Sequence, residues 1–216
     1  MPDRLLSFDE LNTLYTETFD DALAAVEVAV INGFADGRFD RKRIEDIIFD
    51  LLTMYYALGW RETGLSLGED IPMSRSLQQD AVLAKTAGET AFERIDGHIT
   101  AAEESLRQGD GMDAVTRLIE QIRVVADTDG HRVVELGGYE AADSYTKEHP
   151  DKAVYKTWVT MNDDRVRDTH FYLEGVTVPI DARFYTYDGD SALYPGGFEY
   201  PQNVVNCRCK LKYSTI

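Results

Sequence analysis

The sequence predicts an α+β protein: a long N-terminal helical region followed by a small C-terminal α+β module with short strands. Three observations carry this. Apolar residues recur at helical spacing through most of residues 1–150. β-branched and aromatic residues, separated by Gly, Pro and Asp turns, take over after His149-Pro150. The charge is also lopsided: of a formal net −17, Asp151 to Ile216 holds eight Lys/Arg against nine Asp/Glu, so −16 falls in residues 1–150. The expected division is a helical body over 1–150 and a module over 151–216.

The first helix follows Ser7-x-x-Glu10, a capping-box pattern. Leu11, Leu14, Tyr15, Phe19, Leu23 and Val26 then recur on one face, and Gly33 and Gly37 punctuate its end. A second helix starts near Arg41, with Ile44, Ile47, Ile48, Leu51, Leu52 and Tyr55 as its apolar face. Gly59, Gly64 and Gly68 weaken it progressively, and Pro72 closes the segment. Ser74 or Ser76 then caps a third helix, roughly Leu77 to Leu106, with Gly88 and Gly97 as candidate breaks. After the Gly109-Asp110-Gly111 turn a fourth helical stretch runs from Met112 to about Tyr145, with Gly130 and Gly137-Gly138 as candidate divisions.

In the module, Val154 to Thr160 is a strand by composition. Val176 to Ile180 is a second short strand, and the alternating Asn203 to Tyr213 a last one. Asp188-Gly189-Asp190 and Tyr194-Pro195-Gly196-Gly197 are turn chemistry. Asp188-x-Asp190 lacks the Gly and Glu of a calcium-binding loop, so it is expected as an exposed, solvated turn. The same holds for the acidic pairs Glu103-Glu104 and Asp163-Asp164.

Several function classes are excluded or disfavoured. With 216 residues, 44% of them hydrophobic, the chain has enough apolar material for a real core. Charges at Asp9 and Glu10 interrupt the start before an apolar region forms, so no secretory signal is expected; no run of eighteen apolar residues exists. The acidity argues against strong nucleic-acid binding, which needs a cationic footprint. The two cysteines, Cys207 and Cys209, make a poor disulfide, because in a strand they share a face at a backbone separation near the upper limit of disulfide geometry; reduced thiols suit a cytosolic origin. Phosphate-loop, dinucleotide, zinc-protease and nucleophile-elbow motifs are all missing. Tyr185, Tyr187, Tyr194 and Tyr200, without a basic face, are core or protein-interface residues.

The module has a distinctive order of pieces. Lys156-Thr157-Trp158 opens the strand; Asp163-Asp164-Arg165-Val166-Arg167-Asp168-Thr169-His170 follows, then Leu173-Glu174-Gly175. Pro179-Ile180-Asp181, Phe184 and a Gly/Pro-rich loop come next, and Asn206-Cys207-Arg208-Cys209 closes it. Ala126-Asp127-Thr128-Asp129 stands on the preceding helix. This order, over about residues 120–213, resembles the C-terminal domain of the phage Mu F-like minor head proteins, the phage head morphogenesis family. The resemblance implies a structural component of the virion or prohead, present in the host cytoplasm during assembly. It would act at low copy number, bound to the portal or the inner prohead surface, with the portal and the major capsid or scaffold protein as partners. It implies no membrane partner and no enzyme activity. The motif residues it marks are Trp158, Asp164, Arg165, Arg167, His170, Gly175, Asn206, Cys207, Arg208 and Cys209.

The family pattern often adds C-x-x-C after the D-D-R stretch and a His three residues before the last cysteines, an arrangement that sets four soft ligands around zinc. Here Arg167 and His170 stand at the C-x-x-C positions and Val204 at that of the His. Three potential ligands remain, His170, Cys207 and Cys209, with His149 and Asp168 as candidates for a fourth. A closed structural site takes four, so the expectation is no cofactor. His170 and the thiols would instead sit in a hydrogen-bonded core, with Arg165, Arg167 and Arg208 paired to Asp163, Asp164 and Asp168. Two alternative functions are a zinc-stabilised interaction module, and a small nuclease or toxin-like enzyme. In the latter His170 would move the proton and the arginines would hold a phosphodiester.

Overall fold

A computed structural model describes residues 8–69, 71 and 77–216. Four long helices come first: α1 (Phe8–Asp36), α2 (Arg41–Leu67), α3 (Leu77–Gln108) and α4 (Met112–Glu148). The second face is as the spacing predicts: Ile44, Ile47, Ile48, Leu51, Leu52 and Tyr55 are all buried. Asp40 caps α2 by accepting from the Arg43 N–H at 3.0 Å, and Gly68 ends it in the left-handed conformation at φ 75°. Ser7, Ser74 and Ser76, expected as caps, lie outside the described residues.

The glycines do not divide the helices, and several of them serve helix contact. α3 passes through Gly88 and Gly97, and α4 through Gly130 and Gly137-Gly138, without interruption. At the crossing of α2 and α4 the backbones nearly touch. A Cβ on Gly59 would stand 2.0 Å from the Val134 carbonyl oxygen, and one on Gly137 would stand 2.3 Å from that of Tyr56. Only hydrogen fits at those positions. Packing therefore overrides the helix-weakening tendency of glycine, which is worth only about 1 kcal/mol.

α4, about 55 Å long at 1.5 Å per residue, is the spine. Its Leu118, Ile122, Ala126, Val133 and Ala141 are fully buried with Val30 of α1, Ile48 and Leu52 of α2, and Ile95 and Ile99 of α3. Arg41 ties α2 to α3 through Asp96 at 2.6 Å and Glu103 at 2.7 Å. Glu103 is thus a bridge partner and not a solvated surface charge.

The module contains β1 (Val154–Val159), α5 (Asp168–Phe171), β2 (Thr177–Pro179), β3 (Phe184–Tyr185), β4 (Ser191–Ala192), α6 (Pro201–Val204) and β5 (Lys210–Thr215). β1 is central in an antiparallel sheet of order β2-β1-β5, with Lys156 opposite Tyr213 and Trp158 opposite Leu211; β3 and β4 form a separate hairpin. The expected last strand is shorter than its alternating sequence. Residues 201–204 form a helical turn, started by Pro201, and pairing begins only at Lys210. One face of the sheet is covered. Val154, Tyr213 and Ile180 join the helical core, whereas Trp158 belongs to a second core with Leu173, Phe184, Ala192, Phe198, Cys207 and Cys209. Among the described residues, no helix is long and apolar enough to cross a membrane.

Candidate functional site: a histidine–cysteine cluster

Trp158 organises the second core. It is fully buried, with Phe184, His170 and Phe198 around it at centroid distances of 5.0, 5.5 and 5.7 Å. Its backbone is held by the following turn: the Trp158 N–H donates to Val176, and the Gly175 N–H donates back to Trp158, both at 2.9 Å. Gly175 has φ 72°, which explains a glycine at this place. Glu174 accepts from both the N–H and the hydroxyl of Thr160 at 2.6 Å, which closes the loop after β1 and lowers the carboxyl pKa.

His170 enters from the single turn α5 and is buried. Its Nδ1 lies 3.6 Å from Cys207 Sγ and 3.5 Å from Cys209 Sγ. The two cysteines are presented by an extended segment that begins at Asn206, a residue at φ 55°; asparagine tolerates this conformation better than most side chains. Arg208 turns outward between them and clamps Asp163 in a two-bonded fork at 2.8 and 2.6 Å. That fork holds the Asp163 carboxyl at about 2. Asp164 and Arg165 are exposed. Arg167 pairs with neither Asp164 nor Asp168: its guanidinium donates to the Val205 carbonyl, fixing the approach to the cysteines.

A buried polar brace stands behind α5. Asp190 is 4% exposed, against the expectation of a solvated turn. Its carboxylate accepts from the backbone N–H of Ser191 at 2.8 Å, Tyr200 at 2.9 Å and Glu199 at 3.2 Å, and from Asn203 Nδ2 at 3.0 Å. Asn203 in turn accepts from the Thr169 hydroxyl at 2.9 Å, one residue before His170. Burial raises the Asp190 pKa, but these donors outweigh it and the result is a lowered value.

One residue at the cluster has no signal in the module. His131 lies on α4, and among the described residues its Nε2 is buried with no hydrogen-bond partner. Burial works against its cation, yet interactions with the Cys207 side chain, the Glu135 charge and the Cys209 backbone raise its pKa. Cys207 is held toward thiolate by Cys209, His131 and His170, while Cys209 is pushed up by the same pair interaction. His149 is elsewhere, its Nδ1 3.1 Å from the Tyr145 carbonyl and its Nε2 3.4 Å from Glu69. Asp168 is exposed. His131 carried a weak sequence signal: the chain has only four histidines, and within the expected fourth helix Glu135 follows His131 by one turn.

Two cavities flank these elements. One of about 10 Å³ opens on His170, Cys207, Cys209 and Arg167. Another of about 360 Å³ lies between α2, α4 and β5, lined by Gly59, Thr63, Glu135 and Tyr213 among others. Burial pushes the Glu135 carboxyl up to about 7, and one of its oxygens accepts from the Leu211 N–H at 3.0 Å.

The Phage Mu protein F like protein family model matches residues 94–212, more than half of the chain, from within α3 to within β5. No curated protein and no solved structure matches.

Proposed function

Because the chain belongs to the phage Mu protein F-like family, a family of phage head-morphogenesis proteins, we propose that it is a minor head protein bound to the portal or the inner prohead surface during assembly. The family match carries this reading, since it spans α4 and nearly the whole module that α4 supports. Two features of the molecule agree with it. The helical body holds nearly all the negative charge, a surface suited to protein partners and poorly suited to DNA. The module also displays Phe171, Tyr172, Tyr185 and Tyr187, each more than half exposed, with Tyr172 and Tyr187 in edge contact at 5.8 Å. Exposed aromatics of this kind are enriched at protein interfaces.

A phosphodiester-cleaving role draws less support. His170 is buried and its Nδ1 faces the two sulfurs, so it does not address a solvent-borne substrate. The test is co-purification. The full chain, co-expressed with the portal protein of its own phage, should elute with the portal assembly in size-exclusion chromatography. Elution as a free chain in the presence of the portal and of the major capsid protein would contradict the reading.

A further inference from the structure

We propose that His131, His170, Cys207 and Cys209 together bind one zinc ion, a closed four-ligand site that locks the C-terminal module onto α4. Zinc takes sulfur at about 2.3 Å and imidazole nitrogen at about 2.0–2.1 Å in a tetrahedron, so the nitrogen–sulfur edge is about 3.6 Å. The two edges from His170 Nδ1 measure 3.6 and 3.5 Å. The ligand atoms of His170, Cys207 and Cys209 all lie within 4.8 Å of one another, and all three residues are buried. A dry core has no need to gather two thiols on one ring nitrogen; a tetrahedral cation does.

The candidate for the fourth position is His131, which stands beside this group of three and outside its 4.8 Å spacing, with a ring nitrogen left unpaired. Among the described residues, His131 Nε2 is buried without a hydrogen-bond partner, which leaves a polar atom unsatisfied. Its ring sits against the Cys207 side chain and the Cys209 backbone. A cation between the sulfurs and this nitrogen would satisfy it. The charges also balance, since two thiolates neutralise Zn²⁺ and the complex enters the core uncharged. Thiolate and imidazole in tetrahedral array select zinc over the harder magnesium or calcium. The four ligands come from α4, α5 and the segment before β5, three parts of the chain with no continuous backbone ladder between them. The inference is independent of which head component the protein contacts.

The experiment uses the full, untagged chain, reduced with a phosphine and stripped by a chelator. Zinc titrated against a chromophoric competitor should bind at one equivalent per chain and raise the melting temperature. Cobalt in its place should give the visible bands of a tetrahedral ion with thiolate charge transfer. His131→Gln should weaken zinc by more than about a hundredfold, beyond the 10–100-fold that loss of an outer partner causes, and should alter the cobalt bands. His98→Gln should do neither. Less than about a tenth of an equivalent bound by the wild-type chain would overturn the site, because a structural site fills nearly completely. Equal affinity and identical cobalt spectra for His131→Gln and wild type would overturn the four-ligand assignment. The wild-type measurements stand alone should a variant fail to fold.

Discussion

Lys156 lies on the covered face of β1, fully buried, between Val154 and Trp158. Its ammonium donates to the Leu193 carbonyl at 2.8 Å and sits over the Tyr139 and Phe184 rings at 4.8 and 5.4 Å. Burial pulls its pKa from 10.5 down to about 8. Between those values the folded chain holds fewer protons than the unfolded one, so stability rises with pH through that window. The melting-temperature difference between wild type and Lys156→Met should therefore shift in favour of wild type as pH goes from about 8 to about 10.5. A constant difference would mean the ammonium is solvated. Asp190 makes a second case. Four donors converge on it, and bonds to a charged group are worth about 1.5–3 kcal/mol each. Asp190→Ala should cost about 3 kcal/mol or more by urea denaturation; a loss below about 1 kcal/mol would refute the brace. Neither residue was legible from its own neighbourhood. A lysine in an apolar strand and an aspartate in a Gly-Asp turn declare their burial only through partners dozens of residues away.

At the scale of elements, the apolar periodicity of residues 8–148 located all four long helices and the buried face of α2. It could not tell a breaking glycine from a packing one, because the distinction lies on the partner helix. Gly59 and Gly97 make the contrast testable. Gly97, on α3, has nothing within 4 Å of its missing Cβ. Gly97→Ala should therefore stabilise by about 0.5–1 kcal/mol. Gly59→Ala would drive a methyl into the Val134 carbonyl and should destabilise by about 2 kcal/mol or more. Paired melting curves read both signs, and the same sign for both would contradict the close crossing of α2 and α4. In the module, strand composition placed β1 and β2 to within a residue or two, whereas the alternation before β5 was misleading. Pro201 starts a turn there, and Asn203 and Cys207 face inward for polar and thiol contacts, not to continue a ladder.

For the whole molecule, the order of motifs along residues 120–213 was enough to point to the family, and the fold shows what the motifs do. Trp158 seeds the second core, Gly175 and Glu174 close the turn beside it, Asn206 bends the chain, and Arg208 anchors it to Asp163. Each of these residues positions its neighbours. The exposed aromatics are the part of the module left without an internal purpose. Tyr172→Ser with Tyr187→Ser should leave the melting temperature within about 1–2 °C of wild type, as surface changes do, while reducing association with the prohead. A drop in melting temperature that matches the loss of association would place them in the fold instead. The proposed role in a phage head can be read by mass spectrometry of proheads assembled by its phage and purified through two density gradients. The chain is expected in the particles at a few copies, far fewer than the major capsid protein, and is expected to disappear from particles assembled without the portal. Its absence from proheads that contain portal would rule the proposed role out.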